Sequence, residues 1–280
     1  MIRLGTLKFE GVFPALITPF KGVNEDLDEE AFRNLIDFVI ERGVHGVVPC
    51  GTTGEFVYMS VEERMRAIEI AVDEVNDRGL VIAGAGASST KETIKLVKHA
   101  ENVGADAALV VLPYYLRPAD KGAQQHFIEV AESTELPILL YNIPQCTGGF
   151  LDRRVIEDLA EIPNIVGLKD SSGYLPYTLE LLQTVGDKLS IFCGHDEVVM
   201  PALVAGASGV ILASANIIPE FWIELYNAIK RGEYEKARSI QMRVQKLARI
   251  IARYGGPLAV KAALKMLGLK VGRTRRPLVS

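Results

Sequence analysis

The sequence lacks long hydrophobic runs and has no strong excess of charge of either sign. No stretch of about 18 apolar residues occurs, which argues against a membrane-spanning helix, and residues 1–10 lack an apolar core of signal-peptide length. Lysine and arginine total 31 against 35 aspartates and glutamates, and the one dense basic stretch is residues 273–276. This balance argues against a nucleic-acid partner. We therefore expect a cytoplasmic protein that binds neither membrane nor nucleic acid.

Cysteine and metal-ligand patterns are also scarce. The three cysteines, Cys50, Cys146 and Cys193, are odd in number and lack CxxC spacing, so the sequence indicates neither a disulfide framework nor a zinc knuckle. The four histidines form no HxH or HExxH pattern, which argues against a metal-dependent aldolase. We expect reduced thiols and no metal ion.

What the sequence does contain is a regular alternation of short apolar runs and helical segments. Hydrophobic residues make up 49% of the chain, enough for a large core. The runs are apolar on nearly every residue, as is typical of parallel strands that helices cover on both faces. Eight such runs occur, at residues 12–17, 44–48, 80–83, 107–112, 138–141, 165–168, 189–192 and 210–212.

Eight strand–helix units predict an α/β fold of the (β/α)8 TIM-barrel type. Ser60 with Glu63, and Ser89 with Glu92, are typical of capping boxes at helix starts. A doubly wound open sheet is the alternative, but the first run is not followed by the GxGxxG turn that such a fold usually carries. We predict a catalytic barrel over residues 1–230 and a purely helical C-terminal extension over residues 231–280.

Reactive side chains gather where the predicted strands stop, the end at which barrels build their active sites. Lys169 follows the sixth run directly, so its amine would enter the barrel mouth from a buried strand. Desolvation disfavours the charged ammonium, and a neutral amine attacks ketones. We interpret Lys169 as a Schiff-base nucleophile; the alternative is that it pairs with Asp170 or extends into solvent.

Two further strand ends fit the same chemistry. Tyr141 ends the fifth run, from which its hydroxyl could relay protons during imine formation, unless it only seals the barrel. Thr52 and Thr53 stand between glycines that allow close backbone approach, so their amides and hydroxyls could hold a small carboxylate, although such a motif alone is more often a turn.

Taken together, five motifs resemble the dihydrodipicolinate synthase / N-acetylneuraminate lyase family of class I pyruvate aldolases. They occur in family order over nearly the whole chain: Gly51-Thr52-Thr53-Gly54-Glu55, Pro113-Tyr114-Tyr115, Tyr141-Asn142-Ile143-Pro144, Gly167-Leu168-Lys169-Asp170 and Ala213-Ser214-Ala215-Asn216.

The resemblance implies a role for each matching residue. Lys169 would form the Schiff base, Tyr141 would donate and accept protons, and Thr52 and Tyr115 would complete a proton relay. Thr52 and Thr53 would bind the pyruvate carboxylate, and the backbone near Ile211 would face pyruvate. The resemblance also implies a homotetramer, a dimer of dimers in which Tyr115 reaches a neighbouring subunit's site, with a covalent lysine imine in place of a cofactor.

The identity of the second substrate depends on one departure from the family pattern and one further resemblance. Cys146 stands where synthases resemble one another in carrying an arginine for the carboxylate of aspartate semialdehyde, and a thiol cannot replace that charge pairing. Asp196 and Glu197 resemble an acidic pair that binds polyol hydroxyls, unless Asp196 caps the following helix. With Ser171 as a further substrate-binding candidate, we favour an unphosphorylated sugar-derived 2-oxo-3-deoxy acid. The alternative is 4-hydroxy-tetrahydrodipicolinate synthase, which condenses pyruvate with aspartate semialdehyde.

Two hypotheses from other classes stay open. A non-catalytic barrel that binds 2-oxo acids would become credible if Lys169 failed to react. A pyridoxal-phosphate enzyme would use the lysine in a similar way, but the acidic loop after the seventh run argues against a phosphate site there.

Overall fold

The computed structural model describes residues 9–279, and within them eight parallel strands form one sheet in the spatial order β1-β8-β7-β6-β5-β4-β3-β2. Hydrogen bonds from His45 N to Val12 O (3.0 Å) and from Val48 N to Pro14 O (2.9 Å) join the two outer strands, so the sheet closes. The predicted TIM barrel is confirmed. The strands are β1 (Gly11–Pro14), β2 (Gly46–Val47), β3 (Leu80–Gly84), β4 (Ala107–Val111), β5 (Ile138–Asn142), β6 (Ile165–Asp170), β7 (Ser190–Cys193) and β8 (Gly209–Leu212).

Each predicted run contains a strand, but one boundary differs in a way that matters for the site. β6 continues through Asp170, so Lys169 lies inside the strand and not beyond its end. Its backbone is therefore fixed by pairing with strands on both sides, Tyr141 of β5 and Phe192 of β7. The lysine stands on a rigid element.

Helices cover the outside of the barrel after each strand. Ser60 and Glu63 form the predicted capping box at the start of α2, with both reciprocal hydrogen bonds present, and Ser89 accepts a hydrogen bond from the Glu92 amide at the start of α3. The barrel helices are α1 (Glu29–Ile40), α2 (Val61–Val75), α3 (Thr90–Asn102), α4 (Asp120–Glu132), α5 (Pro144–Thr147), α6 (Arg153–Leu159), α7 (Leu175–Val185), α8 (Val199–Val204) and α9 (Pro219–Lys230).

The core has an inner and an outer layer. Inside the barrel, the rings of Phe13 and Phe192 meet edge to face with centroids 5.6 Å apart. Outside it, Trp222 of α9 is buried in a cluster with Val210 and Leu212 of β8. Full burial of such side chains stabilises the fold by about 1.5–3 kcal/mol each, so the strands are held from both faces.

Two more helices, α10 (Tyr234–Tyr254) and α11 (Gly256–Met266), follow the barrel. The predicted boundary at residue 230 falls between α9 and α10; as a domain boundary it stays a prediction. The predicted C-terminal helical extension is confirmed by α10 and α11, but the expectation that it is purely helical was wrong for residues 267–279. Gly268 and Gly272 there have positive φ angles of 89° and 65°, which interrupt a helix, and Gly272 bridges to Phe20 at the barrel mouth.

The helices were also compared with the length and hydropathy that a membrane-spanning helix requires. No helix within residues 9–279 combines the length and the apolar character needed to span a bilayer.

Candidate active site

Lys169 and Tyr141 face each other at the carboxyl end of the barrel. They are partners in the parallel register of β6 and β5, and each is only 4% exposed. The Lys169 Nζ lies 4.3 Å from the centroid of the Tyr141 ring. The two residues that the sequence proposed for imine chemistry are thus brought together in a desolvated space.

Lys169 has no competing partner in the described part of the chain, where its Nζ makes neither a hydrogen bond nor an ion pair. Asp170 points to the opposite face of the strand, as consecutive strand residues do. Its carboxylate accepts hydrogen bonds from Asn142 (2.9 Å), Ser172 (3.0 Å) and Thr178 (2.7 Å). The alternatives of a Lys169–Asp170 pair and of a solvent-exposed lysine are therefore wrong.

Gly194, which follows β7, makes the space that the lysine occupies. A Cβ atom at this position would lie 2.7 Å from Cε of Lys169 and 2.1 Å from Oγ of Ser171, too close for any larger residue. The sequence alone assigns this glycine no role. The close approach of Lys169 and Ser171 explains why a glycine is needed at this position.

The Gly-Thr-Thr-Gly segment forms a tight turn beside these residues. Thr52–Gly54 is a single turn of 3-10 helix, fixed by a hydrogen bond from the buried Thr18 hydroxyl to Gly54 O (2.7 Å). The Thr52 Oγ1 lies 3.4 Å from the Tyr141 hydroxyl, and Thr53 is buried next to it. Tyr141 therefore contacts Thr52 through its hydroxyl and Lys169 through its ring, so the three side chains form one cluster.

Tyr115 is not part of this cluster within one chain. Its side chain is 94% exposed, and its backbone φ of 68° places it in the left-handed region that non-glycine residues seldom adopt. A large aromatic side chain is thus left exposed by its own chain.

The acidic pair after β7 has partners other than a substrate. Asp196 is buried and accepts hydrogen bonds from both the amide and the hydroxyl of Ser214, while Glu197 pairs with Arg249 at 3.6 Å. Burial raises the pKa of Asp196, and the bonds from Ser214 oppose that shift. Asp196 does not cap the helical turn that it begins, so its predicted capping role is wrong, whereas the substrate-binding roles of Asp196 and Glu197 stay predictions.

The remaining candidates, Ser171 and Ile211, lie in the barrel wall. The Ser171 hydroxyl donates to Gly194 O (3.1 Å), so its hydrogen is already used within the protein. Ile211 is fully buried on β8, paired in register with Phe13 of β1. Their substrate-binding roles stay predictions.

A cavity of about 480 Å³ opens beside Thr52, lined in part by Tyr114, Ile143 and Cys146. Among its lining residues there is no lysine or arginine, and the Cys146 thiol is solvent-accessible. Partial desolvation raises the pKa of Cys146, an effect that the nearby Lys169 opposes. The space beside the nucleophile is large enough for a second small molecule and is lined without fixed positive charge.

One buried ion pair next to the turn was not found from the sequence. Glu55, the last residue of the Gly-Thr-Thr-Gly-Glu motif, contacts Lys261 of α11 at 2.6 Å, and both side chains are fully buried. The one sequence signal was the position of Lys261 between Val260 and Leu264 on the apolar face of its helix.

The chain is similar to known proteins over nearly its whole length. The family model described as "Dihydrodipicolinate synthetase family" matches residues 8–280. The chain is 43% identical over 272 residues to the 4-hydroxy-tetrahydrodipicolinate synthase of Methanopyrus kandleri, covering 97% of this chain and 91% of the relative. It is 42% identical to the enzyme of that name from Methanocaldococcus jannaschii, with coverages of 96% and 92%.

Solved structures agree with these relatives. A crystal structure of dihydrodipicolinate synthase from Aquifex aeolicus superposes with a TM-score of 0.94 at 38% identity, covering 97% of this chain and 92% of that one. Another dihydrodipicolinate synthase superposes with a TM-score of 0.93 at 42% identity, with coverages of 97% and 93%. The similarity therefore extends over the barrel and the C-terminal helices together.

Proposed function

This chain belongs to the dihydrodipicolinate synthetase family, and from that premise we propose that it condenses pyruvate with aspartate semialdehyde through a Schiff base at Lys169. Family membership makes it an enzyme of the lyase type that acts on carbon–carbon bonds and uses a lysine–pyruvate Schiff base without an external cofactor. The observation that carries the assignment of Lys169 is its burial beside Tyr141 without a competing partner.

The first half of the reaction forms the imine. The Lys169 nitrogen attacks C2 of pyruvate, the carbonyl oxygen takes up a proton, and the resulting carbinolamine loses its hydroxyl as water. We assign the supply and recovery of these protons to the Tyr141 hydroxyl, and the Thr52 hydroxyl, 3.4 Å from it, extends the path. The Thr52–Thr53 turn supplies neutral donors for the pyruvate carboxylate.

The second half forms the carbon–carbon bond. The protonated imine withdraws electrons, so a proton leaves C3 of the former pyruvate and an enamine forms. The enamine carbon attacks the aldehyde carbon, the aldehyde oxygen takes up a proton, and the imine with Lys169 is restored at C2. The amino group of the former aspartate semialdehyde then attacks C2 and displaces the Lys169 amine, which closes the product ring and frees the enzyme. Because the lysine carries the chemistry covalently, the residues of the site need only move protons and orient the two substrates.

The choice of aldehyde corrects the preference drawn from the sequence. A sugar-derived acid was favoured because Asp196 and Glu197 were interpreted as hydroxyl acceptors, yet Asp196 is engaged by Ser214 and Glu197 by Arg249. Three relatives that are 41–43% identical to this chain are named 4-hydroxy-tetrahydrodipicolinate synthase. Both observations favour aspartate semialdehyde, and Cys146 implies that its carboxylate is held without the arginine expected at that position.

A substrate panel tests this choice of aldehyde. Pyruvate consumption is measured with aspartate semialdehyde, glyceraldehyde, glycolaldehyde and N-acetylmannosamine at equal concentrations, and we expect aspartate semialdehyde to be used most efficiently. A Cys146→Arg variant, compared with Cys146→Ser, should lower the KM for aspartate semialdehyde by supplying a bidentate cation. Efficient turnover of a sugar aldehyde, with aspartate semialdehyde left unused, would disprove the proposal.

Trapping tests the Schiff base itself. Sodium borohydride added with pyruvate should leave a reduced three-carbon adduct on Lys169, located by peptide mass spectrometry. The same treatment without pyruvate is the control. Absence of an adduct would favour the non-catalytic 2-oxo-acid-binding barrel.

Subunit association is part of the proposal. We infer a homotetramer in which Tyr115 completes the proton relay of a neighbouring site, since its own chain leaves that side chain 94% exposed. Dilution below the dissociation constant, followed by sedimentation and activity together, should show that activity is lost as the subunits separate. Cytoplasmic location stays a prediction.

A further inference from the structure

The C-terminal segment binds the turn that carries Thr52 and Thr53 through one buried carboxylate. Glu55 is 1% exposed, and both of its oxygens have partners: Oε1 accepts from Lys261 Nζ at 2.6 Å and Oε2 accepts from the Arg275 amide at 2.8 Å. Glu55 itself has φ 61° and ψ 30°, a left-handed conformation that ends the 3-10 turn. The carboxylate and the backbone of this residue are thus fixed together.

Lys261 and Arg275 are themselves held in place by the same region. Lys261 also donates to Arg273 O at 2.9 Å and lies over the ring of Phe20 at 4.4 Å. The Arg275 guanidinium lies over the same Phe20 ring, 4.0 Å from its centroid. Two cations and one ring therefore form a rigid support under Glu55.

Arg275 extends this support to the chain beyond the turn. Its guanidinium donates to Tyr58 O at 2.8 Å and pairs with Glu63 at the start of α2. The start of α11 also lies over the turn, because a Cβ atom at Gly256 would be 3.7 Å from Thr53 Oγ1. Residues on both sides of the two threonines are therefore bound to the C-terminal segment.

We infer that Lys261 and Arg275 are positioning residues for the reaction, which hold the Thr52–Thr53 turn through Glu55 at the distance that pyruvate binding and the Thr52–Tyr141 contact require. The inference rests on the proposed function. Neither cation touches the reacting atoms; they act through a turn only three residues long. Because catalysis is sensitive to displacements of about 1 Å, loosening Glu55 weakens pyruvate binding more than it alters aldehyde binding.

Replacement of the buried cation tests the inference. Lys261→Met keeps the length of the side chain and removes its charge, and it should raise the KM for pyruvate about tenfold or more while the KM for aspartate semialdehyde changes less than about twofold. Lys265→Met, an exposed lysine on the same helix, is the matched control and should leave both constants unchanged. A merely structural role would reduce the amount of folded enzyme and leave both KM values as they are.

A rescue variant separates lost charge from lost packing. Glu55→Gln combined with Lys261→Met removes both charges, so no unpaired carboxylate stays buried, and the pyruvate KM should return part of the way towards that of the wild type. Arg275→Lys keeps the backbone donor to Glu55, so it should raise the pyruvate KM by a smaller factor than Lys261→Met does. These two variants carry the test if Lys261→Met alone does not fold.

The outcomes distinguish this inference from the function on which it rests. If wild-type enzyme gives no borohydride adduct with pyruvate, the proposed function fails. If wild type and folded Lys261→Met both give the adduct with the same pyruvate KM, the positioning role is overturned and the function stands.

Discussion

Two sides of the barrel mouth use similar polar residues in opposite ways. On the open side, which we define as Thr52, Tyr141 and Lys169, the functional atoms lie near one another, and Lys169 makes no hydrogen bond within the described chain. On the closed side, defined as Asp196, Ser214, Trp222 and Gln241, the side chains bind each other. Ser214 Oγ accepts from Trp222 Nε1 at 2.7 Å, and Gln241 donates to Asp196 O at 3.0 Å.

The difference shows that position at a strand end does not by itself make a residue part of the chemistry. A buried polar group that is fully hydrogen-bonded stabilises the fold, whereas one left without a partner costs free energy, and a functional role explains why such a group is kept. The open side keeps an amine without a hydrogen-bond partner in a desolvated space, whereas the polar groups of the closed side are hydrogen-bonded to one another.

Replacing the amine should have the largest effect. Lys169→Arg puts a group that cannot be deprotonated at the nucleophile's position, so turnover should fall to the uncatalysed background, a loss on the order of 10⁶-fold or more. Pyruvate consumption and borohydride trapping both measure it. The control is Lys188→Arg at an exposed lysine paired with Glu161, which should keep wild-type turnover. Activity retained by Lys169→Arg would show that Lys169 is not the nucleophile.

Removing the phenol should have the next largest effect. Tyr141→Phe deletes only a hydroxyl, and kcat should fall by about 10²–10⁴-fold, the range for loss of a general acid–base group. The Lys169 adduct should still form, more slowly, as followed by mass spectrometry over time. Tyr177→Phe is the matched control, because its hydroxyl donates to Leu151 O at 2.7 Å away from the nucleophile; a similar fall in kcat there would show that any buried hydroxyl matters.

The closed side should respond in stability and not in kinetics. Asp196→Ala leaves the Ser214 amide without its acceptor, which should lower the free energy of unfolding by about 1–3 kcal/mol while KM values stay within about twofold. Glu197→Ala, which breaks a partly exposed pair with Arg249, should cost less than about 1 kcal/mol. Denaturant titration and kinetics measure both. A large rise in the aldehyde KM of Asp196→Ala would restore Asp196 as a substrate ligand.

The pH dependence of that stability follows from the same residue. Burial raises the pKa of Asp196, so the folded protein binds its proton more tightly than the unfolded chain does. The stabilising contribution is therefore complete below the ordinary aspartate pKa and is lost as pH rises through the raised value. The stability difference between wild type and Asp196→Ala should therefore be larger in acid than at neutral pH.

Thiol reactivity should show the smallest effect, with no change in fold. Cys146 lies beside the open side and is exposed, whereas Cys50 and Cys193 are buried, and burial raises the pKa of Cys50 to about 11 and that of Cys193 to about 12. Since the thiolate is the reactive form, a thiol reagent should label one cysteine in the native protein and all three after denaturation. Native Cys146→Ser should show no labelling; rapid reaction of Cys193 would mean that the closed side opens in solution.

The barrel could be predicted because its information is local. Eight apolar runs separated by helical segments define the units, and Lys169, Tyr141 and Thr52 stand at the ends of their runs, where parallel strands bring side chains to one edge. The roles of Asp196 and Cys146 could not be assigned in the same way, because a carboxylate or thiol in a loop has no periodic pattern to indicate what it contacts.

By itself the sequence determined the order of strands and helices and the closed parallel sheet, and it predicted which residues react. Only the tertiary structure decided that β6 runs through Lys169, that Gly194 makes room for it, and that Lys261 and Arg275 hold Glu55 from more than 200 positions away in the chain. The reason is physical: periodic burial is a property of neighbouring residues, whereas hydrogen-bond satisfaction and close packing depend on which distant segments meet.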